Sequence, residues 1–293
     1  MKEIVVISGK GGTGKTSVTA AFAALAAGSS RAVFADCDVD AADLHLVLNP
    51  DIKKEHAFVS GVEALIRADD CTGCGKCAEL CRFDAIAELP GKGFTVDFRS
   101  CEGCGVCAHV CPAGAIDMKE RLCGRYFESS TRFGSLVHAE LAPHAENSGK
   151  LVSVVRRTAK KTAEEDNADY LIVDGPPGIG CPVIASITGA NAVVIVTEPT
   201  LSGEHDLLRV AGLASHFRIP AFVCVNKREI NPDAANKIER LCEERGITVA
   251  GSIPYDPSFT AAQIRGLSVI EYGNNGAAES LRGIWERICQ TIS

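Results

Sequence analysis

Apolar β-branched runs alternate along this chain with stretches whose apolar residues recur at helical spacing. The run KEIVVIS at 2–8 is the first strand. Residues 16–27 follow as a helical stretch closed by Gly28, the residue that ends a helix at least steric cost. Residues 31–35 form a second strand, and later strands fall at 170–173, 192–197, 221–225 and 249–253, with helical patterns between them. Such alternation predicts a parallel sheet covered by helices on both faces, so the expected fold class is α/β. The alternation breaks between residues 60 and 118. Residues 120–148, polar and aromatic without clear periodicity, yield no assignable element.

What breaks the alternation is a repeat. CTGCGKCAELC at 71–81 returns as CEGCGVCAHVC at 101–111, each a C-x2-C-x2-C-x3-C run. Extended by five residues, the copies agree at nine of sixteen positions, so this part of the chain is an internal duplication. The spacing is that of iron–sulfur ligation, where three close thiolates serve one cluster and the fourth serves its neighbour. The glycines inside each run let a loop turn tightly around a cluster at positive φ. Zinc takes four ligands, usually as two separated pairs, and leaves a third cysteine in each run unexplained. A disulfide framework conflicts with the reducing compartment expected of a chain whose N-terminus runs straight into a strand, without a basic region and apolar signal core.

Residues 61–117 resemble a bacterial two-cluster [4Fe–4S] ferredoxin over nearly its whole length. The resemblance implies that Cys71, Cys74, Cys77 and Cys111 hold one cluster, and Cys101, Cys104, Cys107 and Cys81 the other. One departure stands out: Cys111 is followed by Pro112, whereas Cys81 is followed by Arg82. The expected organisation is an α/β domain of residues 1–60 and 118–293 carrying an inserted α+β ferredoxin domain at 61–117.

The α/β part has its own chemistry. Gly9-Lys10-Gly11-Gly12-Thr13-Gly14-Lys15-Thr16, with Ser17 behind it, fits G-x4-G-K-[ST] directly after a strand and before a helix. In that context the backbone N–H groups make an anion-binding nest at a positive helix end, which is a site for ATP or ADP. Lys15 is expected on the β- and γ-phosphates and the Thr16 hydroxyl on Mg²⁺. The two lysines of KGGTGKT resemble the deviant Walker A loop of the MinD/Mrp/nitrogenase-iron-protein family of P-loop ATPases. There the first lysine reaches the nucleotide of the other subunit, so Lys10 implies an ATP-dependent homodimer.

The same resemblance extends over the rest of the α/β part. Asp36-Cys37-Asp38-Val39-Asp40 looks like switch I, which implies that Asp38, or failing it Asp36, polarises the attacking water or reaches Mg²⁺ through a water. Residues 170–178, YLIVDGPPG, look like Walker B running into a rigid switch II turn. Asp174 would hold Mg²⁺ through its water shell, and the Gly178 backbone would sense the γ-phosphate. Asn226 matches the adenine-contacting asparagine, and Ile253-Pro254-Tyr255-Asp256 the second base-side loop.

Charge narrows the partners. The net charge is −7, and residues 62–117 hold nine acidic against five basic residues. An acidic insert argues against nucleic acid and is compatible with a basic patch on a redox or iron–sulfur partner protein. Leu281, Ile284, Trp285, Ile288 and Ile292 line one helical face, expected to pack on the core rather than anchor to a membrane. Arg156, Arg157, Lys160 and Lys161 are expected as a solvated basic face. These features predict a cytoplasmic protein. Three functions fit: ATP-gated low-potential electron transfer, iron–sulfur assembly or delivery of the Mrp type, and MinD/ParA-like positioning. Of six cysteines outside the runs, most are expected as small core residues. Cys181, seven residues past Asp174, is expected near switch II and the dimer seam.

Overall fold

The computed structural model describes residues 1–91, 93–143, 145, 147–274 and 276–292. In chain order the strands are β1 (Lys2–Ser8), β2 (Ala32–Asp36), β3 (Asp51–Ile66), β4 (Ile86–Leu89), β5 (Gly93–Val96), β6 (Ile116–Thr131), β7 (Gly134–Leu141), β8 (Tyr170–Pro177), β9 (Ala192–Thr197), β10 (Ala221–Val225) and β11 (Thr248–Ser252). The helices are α1 (Lys15–Ala27), α2 (Leu44–Leu48), α3 (Lys76–Glu79), α4 (Val106–Val110), α5 (Ser148–Glu165), α6 (Cys181–Ile187), α7 (Leu201–His216), α8 (Pro232–Glu244), α9 (Ser258–Ile264), α10 (Val269–Tyr272) and α11 (Gly276–Ile292).

One sheet runs in the order β11-β10-β9-β1-β8-β2-β7-β6-β3. From β11 to β7 every pairing is parallel. β1 sits inside this array with Ile4, Val5, Val6 and Ile7 all fully buried. A strand covered on both faces needs an unbroken apolar run rather than an alternating one, and IVVI supplies it. Ile4 and Val6 join α1 and α11 in one core, where the Phe22 and Trp285 rings lie 5.2 Å apart and Tyr170 meets Trp285 at 5.4 Å. Leu281, Ile284, Trp285 and Ile288 are all buried there, so that face of α11 packs on the core. Among the described residues no helix is long and apolar enough to cross a membrane.

Two expectations change. Arg156 is buried, not solvated: its guanidinium donates to both Glu3 carboxylate oxygens at 2.5 and 2.8 Å, and to the carbonyls of Ala185 and Thr188. Lys160 adds a third contact to Glu3 at 2.8 Å. A buried carboxylate on β1 requires such partners, and α5 supplies them, leaving only Arg157 and Lys161 exposed. β8 also does not turn after Asp174. It stays paired with β1 as far as Ser8 and Pro177, across an irregularity in register, and Gly175 lies so close to β1 there that a Cβ would stand 2.6 Å from Ile7 Cγ2.

The chain divides into two compact units. The larger comprises Met1–His56, Tyr126–Glu140 and Ser148–Ser293; the smaller comprises Ala57–Arg125 and Leu141–Asn147. These limits lie outside the expected 61–117 because β3 and β6, sixteen residues each, continue past both. The described residues of 120–148, left without an element by their pattern, include the end of β6, then β7 after the turn at Arg132 and Phe133, then the first residue of α5. Within β3 only Phe58, Ser60 and Ala64 are buried, so no apolar run marks it.

In the smaller unit the repeat in sequence is a repeat in space. The Arg67 N–H donates to the Ala115 carbonyl at 2.8 Å, and the Asp97 N–H to the Ala85 carbonyl at 2.7 Å. Under a thirty-residue shift the two bonds are copies, each tying one half to the other. α3 and α4 both start from a left-handed glycine, Gly75 at φ 73° and Gly105 at φ 77°. β4 and β5 pair antiparallel, and Ala64, Cys77, Ala85, Cys101 and Ile116 form the small core.

Candidate functional site

The turn from β1 to α1 wraps a cavity of about 580 Å³ in the larger unit. Gly11, Gly12, Gly14, Lys15, Thr16 and Ser17 line it. Gly12 (φ 80°) and Gly14 (φ 89°) hold the left-handed conformations that an anion nest requires. Gly14 has a second constraint, since a Cβ there would lie 2.4 Å from Asn226 Nδ2. Gly9 packs on α7 instead, where a Cβ would meet Asp206 at 2.3 Å. Thr13 is buried, and its hydroxyl has no hydrogen-bond partner among the described residues.

Three carboxylates gather behind the loop. Lys15 Nζ lies 3.1 Å from Asp38 Oδ2 and 3.3 Å from Asp174 Oδ1. The Thr16 hydroxyl donates to Asp174 Oδ2 at 2.6 Å, and Thr19 to Asp174 Oδ1 at 2.9 Å. Burial opposes the charge on Lys15, but Asp174, Asp38 and Asp36 outweigh it and hold its pKa above the ordinary lysine value. Asp36 is fully buried, and burial together with the facing Asp174 pushes its carboxyl well above the usual range. It accepts the backbone N–H groups of Asp38 and Leu44, both at 3.1 Å, and so fixes the loop between them. Asp38, raised by burial and less so because Lys15 opposes, lines the cavity itself. The pocket thus pairs a cationic, N–H-rich floor with carboxylates beside it, which suits a phosphate chain and a divalent cation.

The far wall is made by the ends of β10 and β11. Asn226 Nδ2 donates to the Thr13 carbonyl at 2.7 Å, and Pro254, Tyr255 and Asp256 complete that side. Gly178 is left-handed at φ 91°, and its N–H donates to the Ser8 carbonyl at 2.8 Å. Lys10 Nζ points to its own chain, 3.0 Å from Ser202 Oγ and 3.5 Å from Glu198 Oε2. Several contributors escape a motif reading. Thr19 lies one helical turn beyond Lys15 and reaches Asp174. Lys227 bonds both Glu198 at 2.5 Å and the Gly12 carbonyl at 3.3 Å, while Gln263 donates to Ser17 at 3.0 Å. Only Thr19 carried a signal, its i+4 position on the face that Lys15 presents.

Two further cavities lie in the smaller unit. One is walled by Cys71, Cys74, Cys77 and Cys111, and the other by Cys81, Cys101, Cys104 and Cys107. Each wall therefore takes three cysteines from one run and the last cysteine of the other run. Among the described residues no three His, Cys, Asp or Glu side chains converge to hold a single metal ion. Of the remaining cysteines, Cys37, Cys123, Cys224 and Cys242 are buried, Cys289 is half-buried, and Cys181 is exposed at the head of α6. Cys123 donates its thiol to the Ser60 carbonyl at 3.1 Å.

The family described as the CobQ/CobB/MinD/ParA nucleotide binding domain matches residues 4–269. The chain belongs to this family. An uncharacterized protein of Methanocaldococcus jannaschii is 31% identical over 298 residues, covering 99% of this chain and 97% of its own length. An iron–sulfur cluster carrier protein of Pyrococcus abyssi is 26% identical over 156 residues, about half of each chain. The septum site-determining protein MinD of Pyrococcus horikoshii, solved as its Mg-ADP complex, superposes with a TM-score of 0.62 over 99% of this chain and 96% of its own, at 17% identity. That likeness is one of fold.

Proposed function

We propose that this family member is an ATP-hydrolysing, dimerising iron–sulfur protein in which nucleotide state is coupled to one-electron transfer through two [4Fe–4S] clusters. The observation that carries the reading is the crossed composition of the two cysteine cavities. A cubane binds each thiolate through a different iron, so its four ligands stand around a space rather than converging on a point. Four cysteines around each cavity meet that requirement. The clusters supply a one-electron couple when bound; the chain supplies the ligands, the tight glycine turns and the small apolar core beneath them.

The nucleotide side follows from the loop and its carboxylates. Lys15 would bind the β- and γ-phosphates, Thr16 and Asp174 would hold a Mg²⁺ ion that neutralises phosphate charge, and Asp38 would orient the attacking water. Asn226 holds the phosphate loop and borders the base. Lys10 leaves Glu198 and Ser202 to reach the phosphates of a second copy, so that the γ-phosphate stabilises the dimer and its loss releases it.

A second reading has its own support: similarity to an iron–sulfur cluster carrier suggests cargo rather than relay. One experiment separates them. Anaerobically purified protein is analysed for iron and by EPR, then turned over with Mg-ATP beside a cluster-free acceptor protein. About eight irons per chain that stay in place while the reduced signal responds to nucleotide support the relay. Iron that leaves with turnover supports the carrier, and protein that binds zinc instead after anaerobic reconstitution refutes both.

A further inference from the structure

We infer that the two cysteine cavities hold clusters of unequal potential, with Lys76 and Glu102 setting the order so that the cavity of Cys71, Cys74, Cys77 and Cys111 takes an electron first. The inference rests on the cluster reading above and adds a direction to it. Every residue lining the first cavity has its thirty-residue counterpart lining the second. The cysteines, Gly75 with Gly105, Ala115 with Ala85 and Ile116 with Ile86 are identical pairs. Four pairs differ: Ile66 with Val96, Phe94 with Ala64, Thr72 with Glu102, and Lys76 with Val106. The last two change charge, in opposite senses. Among the described residues, the first wall carries a lysine and no acid, and the second a glutamate and no base.

One-electron reduction adds a single negative charge to a cluster and its thiolates and makes or breaks no bond. A cation in the wall therefore stabilises the reduced form and raises the potential, while an anion does the reverse. Among the described residues the second cavity is also walled by Leu80 and Phe83, whose equivalents Val110 and Ala113 do not line the first, and these two outweigh the single Phe94 that the first sets where the second has Ala64. Apolar walls penalise added charge and push the same way as Glu102. An electron from a one-electron donor that enters at the second cavity then runs downhill to the first. Lys76 and Glu102 are both exposed, so their influence is partly screened by solvent and salt.

The test exchanges each residue for its counterpart in the other half. Full-length protein is reconstituted anaerobically and titrated with dithionite, with EPR reporting each reduction wave. Lys76→Val should lower only the higher-potential wave, and Glu102→Thr should raise only the lower. Each shift should be about tenfold in reduced-to-oxidised ratio at fixed potential, or about 59 mV for one electron. The double variant should draw the two waves together, and added salt should narrow the gap in the unaltered protein. Eight-iron protein whose waves ignore both variants, or shift in the opposite direction, overturns the ordering and leaves the cluster reading intact. Protein that binds no clusters overturns both.

Discussion

The ammonium of Lys10 lies 3.5 Å from a carboxylate oxygen of Glu198 on its own chain. Glu198 is shared, since Lys227 takes its other oxygen at 2.5 Å. The Lys10 side chain is 32% and that of Glu198 15% exposed, and because Lys227 remains to pair with Glu198, releasing Lys10 to a second copy leaves no carboxylate unpaired and costs on the order of 1 kcal/mol. Lys10→Ala should therefore keep nucleotide affinity but lose nucleotide-dependent dimerisation and about 10³-fold in ATP turnover. Lys15→Ala should lose affinity itself. Light scattering with Mg-ATP and a steady-state assay check both, and a Lys10→Ala protein that dimerises and turns over normally would show that Lys10 stays on its own chain.

Gly14→Ala meets two obstacles at once. Its φ of 89° is a left-handed conformation that costs a residue with a Cβ on the order of 1–3 kcal/mol. The new Cβ also collides with Asn226 Nδ2, the atom that ties β10 to the Thr13 carbonyl. The expected outcome is at least a tenfold loss of nucleotide affinity, measured by calorimetry. Asn226→Ala, which removes the tie without the strain, should lose less.

How far the sequence was legible depended on periodicity. β1, β8 and β9 are buried on both faces, so their apolar runs are continuous and could be read directly. β3 and β6 alternate polar and apolar residues irregularly, because many of their positions are exposed, and their sequences look like loop. The phosphate loop and the cysteine runs carry fixed spacing and needed no tertiary information. Lys227 and Gln263 reach the site only because the end of β10 and α9 meet there, and no local pattern announces that meeting; Thr19 alone is marked, by its place one turn beyond Lys15. Arg156 misled for the same reason: a basic helix face looks solvated until the buried carboxylate of Glu3 is placed opposite it.

A histidine in the larger unit should shape acid stability. His138, only 4% exposed, stacks between Phe127 at 5.0 Å and His45 at 5.7 Å, and its Nδ1 has no hydrogen-bond partner among the described residues. Burial, with the His45 charge adding to it, lowers its pKa to about 4. The unfolded chain titrates near 6.5, so between about pH 6.5 and 4 the unfolded state binds the extra proton. Stability from the neutral ring is complete above about 6.5 and fades as pH falls toward 4, by up to about 3 kcal/mol. Urea unfolding across that window should show the decline. His138→Leu, which keeps the volume and cannot titrate, should flatten it; an unchanged slope would assign the decline to other groups.

Cys181 offers a test of the proposed nucleotide-dependent movement after β8. It stands exposed at the first position of α6, three residues past Gly178, whose N–H is engaged by Ser8. If the γ-phosphate draws that glycine N–H to itself, the segment leading into α6 must shift. If Lys10 then bridges two copies, the exposed thiol is covered as well. Both changes act on the access of reagent to Cys181 rather than on its chemistry. Maleimide labelling of cluster-loaded protein should therefore slow at Cys181 with a non-hydrolysable ATP analogue and Mg²⁺, relative to ADP and to no nucleotide. Subtracting the Cys181→Ser variant isolates its contribution. In Lys10→Ala protein the slowing should be reduced to the part due to the loop alone, because the dimer no longer forms. A single labelling rate across all three nucleotide conditions would mean that neither the loop nor a second copy reaches this thiol.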